Sequence, residues 1–139
     1  MLNRILAIDY GDRKVGLALS DTLHIIAKPY KTIENNSKED LLKNINSIIK
    51  LKEVKKIVIG LPKTLKNTYS EQTHKVQSFI DYISNTLDID IITVDERLSS
   101  IEAKKSLINQ GIKTGHNKKD IDMTAAALFL QNYLDNVEK

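Results

Sequence analysis

Arg4-Ile5-Leu6-Ala7-Ile8-Asp9-Tyr10-Gly11-Asp12-Arg13 is the stretch whose reading decides the fold. Arg4 to Tyr10 is an apolar run interrupted by one carboxylate, the pattern of a strand buried within a sheet. Tyr10 to Arg13 is polar and contains a glycine, so it reads as a tight turn. Lys14 to Ser20 then alternates, with Val15, Leu17 and Leu19 on one side and Gly16, Ala18 and Ser20 on the other. The two segments form a hairpin whose second strand has one large-residue face and one small-residue face. Ile25 to Ile33 supplies a third strand, and Pro29 within it favours an edge or irregular position.

Beyond the hairpin the periodicity changes. Ser37 to Leu51 is helical, with Ser37 as a cap and Leu41, Leu42, Ile45, Ile48 and Ile49 as one apolar stripe. Lys56 to Gly60 is a short β-rich run closed by Leu61-Pro62. Thr68-Tyr69-Ser70-Glu71 opens a helix to about Leu87, with Val76, Phe79, Ile80 and Ile83 on its buried face. Ile89 to Val94 is a strand that ends at Asp95-Glu96. Ser99-Ser100-Ile101-Glu102 starts a helix that Gly111 stops, and a last helix capped near Asn117 runs to about Asp135. An antiparallel meander followed by βαβα predicts an α/β fold: a mixed five-stranded sheet flanked by helices. The chain has 139 residues, with no repeat and no linker, so residues 1–139 read as one domain.

Hydrophobic residues make up 41% and charged residues 28%, as in a globular protein. The absence of cysteine excludes disulfides, thiolate metal sites and a cysteine nucleophile. The first apolar run is too short and too charged for a signal peptide or membrane helix. A cytoplasmic protein without membrane contact is expected, as a monomer or weak homodimer. The net charge is +3 and the pI about 9.0, which by itself does not indicate nucleic acid.

Three acids stand where an acid is costly. Asp9 ends one apolar strand and Glu96 follows another. Asp122 precedes Ala125, Ala126, Phe129, Leu130 and Tyr133 by 3, 4, 7, 8 and 11 residues, so it shares the core-facing stripe of the last helix. A carboxylate turned toward a core needs a cation, a hydrogen-bond partner or solvent. Strand ends at one sheet edge cluster in space and commonly hold ligands. Converging carboxylates there would be neutralised by a hard cation, Mg²⁺ or Mn²⁺. Two such ions ~3.5–4 Å apart support phosphodiester hydrolysis. Each acid also has an ordinary reading: Asp9 bonding to its turn, Asp122 favoured by a helix N-terminus, Asp95-Glu96-Arg97 as a solvated charge cluster. Alternation puts Asp95 and Glu96 on opposite faces, and either could be the ligand.

The basic residues give the acids a context. Arg13 and Lys14 flank the first turn, Lys63 and Lys66 lie in the loop after Gly60, and Arg97 follows the acid pair. Lys113, Lys118 and Lys119 precede Asp122. An acidic centre ringed by cations suits a nucleic-acid backbone, although loops of a lysine-rich chain carry lysines in any case. With two Phe and no Trp, base stacking is not prominent, and Tyr10 and Tyr69 are its candidates. His24, His74 and His116 form no metal-spaced pair.

Four segments in order, Ala7-Ile8-Asp9-Tyr10-Gly11 with Gly16, Val58-Ile59-Gly60-Leu61-Pro62, Asp95-Glu96-Arg97-Leu98-Ser99 and Ile121-Asp122-Met123-Thr124-Ala125-Ala126, resemble the YqgF family, also called RuvX-type. That family is associated with Holliday junction resolution and with nuclease processing of precursor 16S rRNA. The resemblance spans about Leu6 to Leu134. It implies an RNase H-like fold, a cytoplasmic bacterial protein and a divalent-metal nuclease that matures the 5′ end of the small-subunit rRNA precursor, with ribosomal particles as a further partner. By matching position it implies that Asp9, Glu96 and Asp122 form the catalytic, metal-holding site. One departure lies in the loop after Pro62, where the family often has glycine and this chain has Asn67.

Three rival functions fit parts of the sequence. A resolvase of branched DNA would use the same chemistry on another substrate. Asp9-Tyr10-Gly11 with Gly16 also suits the phosphate loop of actin-like ATP-binding domains, but those need two such domains. An inactive relative that only binds RNA would not require three acids.

Overall fold

The computed structural model describes residues 3–61, 71–95 and 118–136; within 118–124 it describes the backbone alone. Five strands form one mixed sheet: β1 (Arg4–Asp9), β2 (Lys14–Ser20), β3 (Ala27–Glu34), β4 (Val54–Leu61) and β5 (Asp90–Asp95). Their order is β3-β2-β1-β4-β5. The first three run antiparallel as a meander, and β4 and β5 lie parallel to β1. Helices α1 (Lys38–Lys52), α2 (Glu71–Thr86) and α3 (Lys118–Asn136) complete the described elements. The predicted helix from Ser99 to Gly111 and the loop around Asn67 lie outside the described residues.

The central strand explains the sheet. Ile5, Leu6, Ala7 and Ile8 are fully buried because both faces of β1 are covered. Leu6 and Ile8 join Val15, Leu17, Ile57, Ile59 and the apolar stripes of α1 and α2 in one core cluster. Ile5 and Ala7 face the other way and join Ala18, Val58, Ala126, Phe129 and Leu130 beneath α3. The small-residue face of β2 is thus the face that α3 covers. Burying each Ile or Leu fully contributes about 1.5–3 kcal/mol before entropy is counted.

Helix α1 begins as the sequence indicates: the Ser37 hydroxyl accepts from the Asp40 N–H at 3.1 Å. It ends at Glu53 in the left-handed region, φ 55°, whose N–H bonds the Ile49 carbonyl. Strand β3 is an edge strand, and its register shifts beside Pro29, where a ring without an N–H cannot continue a ladder. Strand β4 is longer than the Lys56–Gly60 expected, running from Val54 to Leu61, because pairing with both β1 and β5 extends it past the apolar triplet.

Helix α3 carries a residue that the apolar stripe omits. Gln131 is 2% exposed. Its Oε1 accepts from the Ala27 N–H and its Nε2 donates to the Ile25 carbonyl, both at 2.9 Å. The amide substitutes for a neighbouring strand at the start of β3 and ties the helix there. Ala125, expected in the core, is only half-buried, and Ala127 and Leu134 are buried instead.

Close packing of α3 depends on Gly60. A Cβ there would stand 2.8 Å from the Phe129 ring. Gly60→Ala should therefore lower stability by about 1–3 kcal/mol, read as a fall in the urea midpoint; an unchanged midpoint would show that Phe129 yields freely.

Candidate active site at the carboxyl edge of the sheet

Asp9 is the last residue of β1 and is half-buried. The alternation that sends Ile5 and Ala7 beneath α3 places Asp9 on the same face. Its partner across β2 is Gly16. Ile8 pairs with Ile59 in the parallel β4, so Asp9 stands beside Gly60 on that side. Asp9 is thus flanked by two residues that carry no side chain.

The same alternation separates Asp95 from Asp9. Ile92 and Val94 pack toward α3, whereas Ile91 packs toward α1 and α2. Asp95, paired with Leu61 at the end of β5, shares the parity of Ile91 and lies on the face opposite Asp9. Glu96 is outside the described residues.

Helix α3 runs antiparallel to β4. Phe129 meets Gly60 near the end of that strand, and the Lys56 Nζ donates to the Tyr133 hydroxyl near its start, at 3.2 Å. The first turns of α3 therefore lie toward the carboxyl edge. The backbone of Asp122 is within this helix, one turn before Ala126 and two before Phe129, or about 10 Å along the axis from Phe129. Its side chain is outside the described set.

The turn after Asp9 is held from three sides. Asn35 Nδ2 donates to the Gly11 carbonyl at 2.9 Å, and the Asn35 N–H donates to the Arg13 carbonyl at 2.8 Å. Lys75 on α2 pairs with Asp12 at 3.3 Å, an exposed pair worth little by itself. Tyr10 stacks on Phe79, with centroids 4.9 Å apart and planes at 29°. Tyr10, a candidate for base stacking from sequence, is therefore engaged in packing beneath α2. Gly11 allows the turn to close, since a Cβ would run into the Lys14 carbonyl.

Arg13 and Lys14 are exposed on this turn. Lys118 and Lys119 open α3, described by backbone alone. Lys63, Lys66, Arg97 and Lys113 lie outside the described residues, as does His116. No cluster of three or more His, Cys, Asp or Glu that could hold a metal occurs among the described residues. Sequence reading passed over Asn35, because an isolated asparagine after a strand carries no periodic signal. Gln131 was legible in principle, four residues after Ala127 and three before Leu134.

A family model described as "RuvX: Holliday junction resolvase" matches residues 3–136. The chain belongs to the RuvX family. Two relatives bear the name "Putative pre-16S rRNA nuclease". The one from Clostridioides difficile is 40% identical over 132 residues, covering 95% of this chain and 94% of its own. The one from Desulforamulus reducens is 39% identical over 136 residues, covering 98% and 99%. Among solved structures, Thermus thermophilus RuvC in complex with a Holliday junction substrate superposes with a TM-score of 0.64 at 9% identity, over 96% of this chain and 97% of that one. The yeast mitochondrial Holliday junction resolvase Ydc2 gives 0.60 at 11% identity, over 96% and 78%. These likenesses establish the RNase H-like fold of this RuvX-family chain.

The Asn35 side chain ties the end of β3 to the turn following Asp9. Asn35→Ala should lower the stability of this RuvX-family chain by about 0.5–1.5 kcal/mol in denaturant melts. It should also speed hydrogen exchange at residues 11–13; unaltered exchange there would show that the turn holds itself.

Proposed function

We propose that this chain is a divalent-metal nuclease that hydrolyses phosphodiester bonds of precursor 16S rRNA, acting as a single domain through Asp9, Glu96 and Asp122. The observation that carries the reading is the setting of Asp9. It closes a strand whose four middle residues are fully buried, lies on the α3 face, and has Gly16 and Gly60 on either side. A carboxylate brought to the edge of a core, between two glycines on the adjacent strands, is placed where a hard cation would be held by oxygen ligands. The first turns of α3 point to that edge, and Asp122 is in them. The face occupied by Asp95 favours Glu96 as the ligand, because the next residue along a strand has the opposite parity.

The donor set suits a hard ion. It consists of carboxylate oxygens with no thiolate or imidazole, which favours Mg²⁺ or Mn²⁺ over zinc. Such an ion, when bound, supplies Lewis-acid stabilisation of the phosphate and a more acidic water. The chain's own residues do the rest. Asp9, Glu96 and Asp122 hold the ion by charge. Arg13 and Lys14, exposed on the turn beside Asp9, bind flanking phosphates, and Lys63, Lys66, Arg97, Lys113, Lys118 and Lys119 extend that role. The names of the relatives supply the substrate, and ribosomal particles are its natural carrier. The reading places the protein in the cytoplasm; no helix among the described residues is long and apolar enough to cross a membrane. A second reading, resolution of branched DNA, is favoured by the family's description. It requires two sites related by two-fold symmetry.

With Mg²⁺ or Mn²⁺, the wild type should cleave the 5′ leader of precursor 16S rRNA in preference to a four-way DNA junction. Asp9→Asn and Asp122→Asn should each lower cleavage at least about a hundredfold, since even outer-sphere partners of a metal are worth 10–100-fold. Their melting temperatures should hold or rise as carboxylate repulsion is relieved. Full activity in Asp122→Asn would remove that residue from the site, and cleavage of the junction alone would transfer the function to recombination.

Affinity for RNA should fall steeply with salt. The double variant Arg13→Gln, Lys14→Gln should reduce the slope of log K against log[salt] by about one to two units. A salt-independent affinity would exclude the basic turn as the binding surface.

A further inference from the structure

The end of the sheet opposite Asp9 gathers features that the nuclease reading does not use. Among the described residues the exposed large hydrophobics are Leu23, Ile25 and Leu51, at 69%, 49% and 72%. Leu23 and Ile25 lie in the β2–β3 turn and Leu51 in the last turn of α1, and both segments reach the start of β1. Leu51 precedes Lys52, whose carbonyl accepts from the Arg4 guanidinium at 3.2 Å. Arg4 follows Asn3, whose carbonyl lies 3.1 Å from His24 Nε2. His24 sits between Leu23 and Ile25, held in the left-handed region at φ 59°.

Beside them is a cavity of about 370 Å³ lined by Arg4, Leu19, Ile26, Lys28, Pro29 and Tyr30, with Ser20 and Asp21 completing it. Its lining combines the apolar Leu19, Ile26, Pro29 and Tyr30 with the cations Arg4 and Lys28. Lys52 and Lys31 stand 5.5 and 5.4 Å from the Tyr30 ring centre. Arg4, Lys28, Lys31 and Lys52 have no carboxylate partner among the described residues. Asp21, which lines the cavity, and Glu53 offset two of these four charges and leave the group net positive. Asp21 Oδ1 is committed to the Ile25 and Ile26 N–H groups at 2.7 and 3.0 Å. Burial acts to raise the Asp21 pKa, but those N–H groups outweigh it and hold the carboxyl below its usual range. Glu53 is exposed at the end of α1.

We propose that this end of the sheet is a docking surface for an acidic protein segment that inserts one large apolar side chain into the cavity between Arg4, Lys28 and Tyr30. The volume accommodates a single leucine or aromatic anchor, the usual centre of a protein interface, and the four cations form the charged rim around it. Charge complementarity makes the segment acidic. The apolar lining of the cavity, Leu19, Ile26, Pro29 and Tyr30, argues for protein over RNA, because a nucleic-acid backbone offers no aliphatic side chain to fill it. The cavity lies one strand length from Asp9, about 17 Å along β1, and Arg4 and Leu19 in its lining belong by alternation to the sheet face away from α3. A bound partner there leaves the carboxyl edge open.

The test is a selection of twelve-residue peptides from a random displayed library on the immobilised full-length chain, with Lys28→Glu and Leu51→Ser as comparison targets. Both positions are exposed and neither side chain makes a hydrogen bond among the described residues, so both variants should keep the wild-type melting temperature. The expected result is enrichment of acidic peptides with a leucine or aromatic residue. Their affinity should fall about tenfold on Lys28→Glu and severalfold on Leu51→Ser. Enrichment that is absent, or equal on wild type and variants, or basic in composition, overturns the proposal. So does a loss of oligouridylate binding in Lys28→Glu, which would assign the surface to RNA. A wild-type dimer that Lys28→Glu dissociates in sedimentation would assign it to a second copy and overturn the proposal equally.

Discussion

Burial of β1 on both faces is the constraint from which the rest of the molecule follows. A strand covered on both sides has no solvent face, so each residue of Ile5 to Ile8 must find apolar neighbours above or below. That requirement recruits α1 and α2 to one face and α3 to the other. It also fixes parity: once Ile5 and Ala7 face α3, Asp9 must do so as well. The position of the candidate catalytic carboxylate is therefore set by how the core is divided between two layers.

Glycine appears where elements approach most closely. Gly60 admits the Phe129 ring and so brings α3 onto β4; Gly11 lets the hairpin turn close against the Lys14 carbonyl. Gly16 and Gly60 flank Asp9 on the adjacent strands. Two polar side chains secure the arrangement from the periphery: Asn35 ties the turn beside Asp9 to the end of β3, and Gln131 ties α3 to its start.

The charge distribution gives the two ends of the sheet different characters. At the carboxyl edge, Asp9 is accompanied by Arg13 and Lys14, a pairing of acid and base suited to metal and phosphate. At the opposite end, cations surround aliphatic residues and Tyr30. Membership of the RuvX family bears on the first end. The second is a property of this chain's own surface.

The sequence by itself determined the order of the described strands and helices, the mixed sheet and the family, and it named three candidate acids. Each of these depends on local periodicity or on residues close in the chain, such as the alternation of Lys14 to Ser20 and the Ser37 cap. The tertiary structure alone decided which face each strand end presents. Asp95 and Glu96 were indistinguishable in the sequence, because alternation defines two faces but not which one meets α3. The side that Asp95 takes follows from the register of β5 on β4 and the packing of Ile92 and Val94. Gln131 could be placed on the buried face of its helix, but its partners, those of Asn35 and the surface around Leu51 were out of reach. Asn35 acts 24 residues from its partner, and Gln131 acts across 104 and 106. Contacts over such separations exist only once the sheet has brought its ends together.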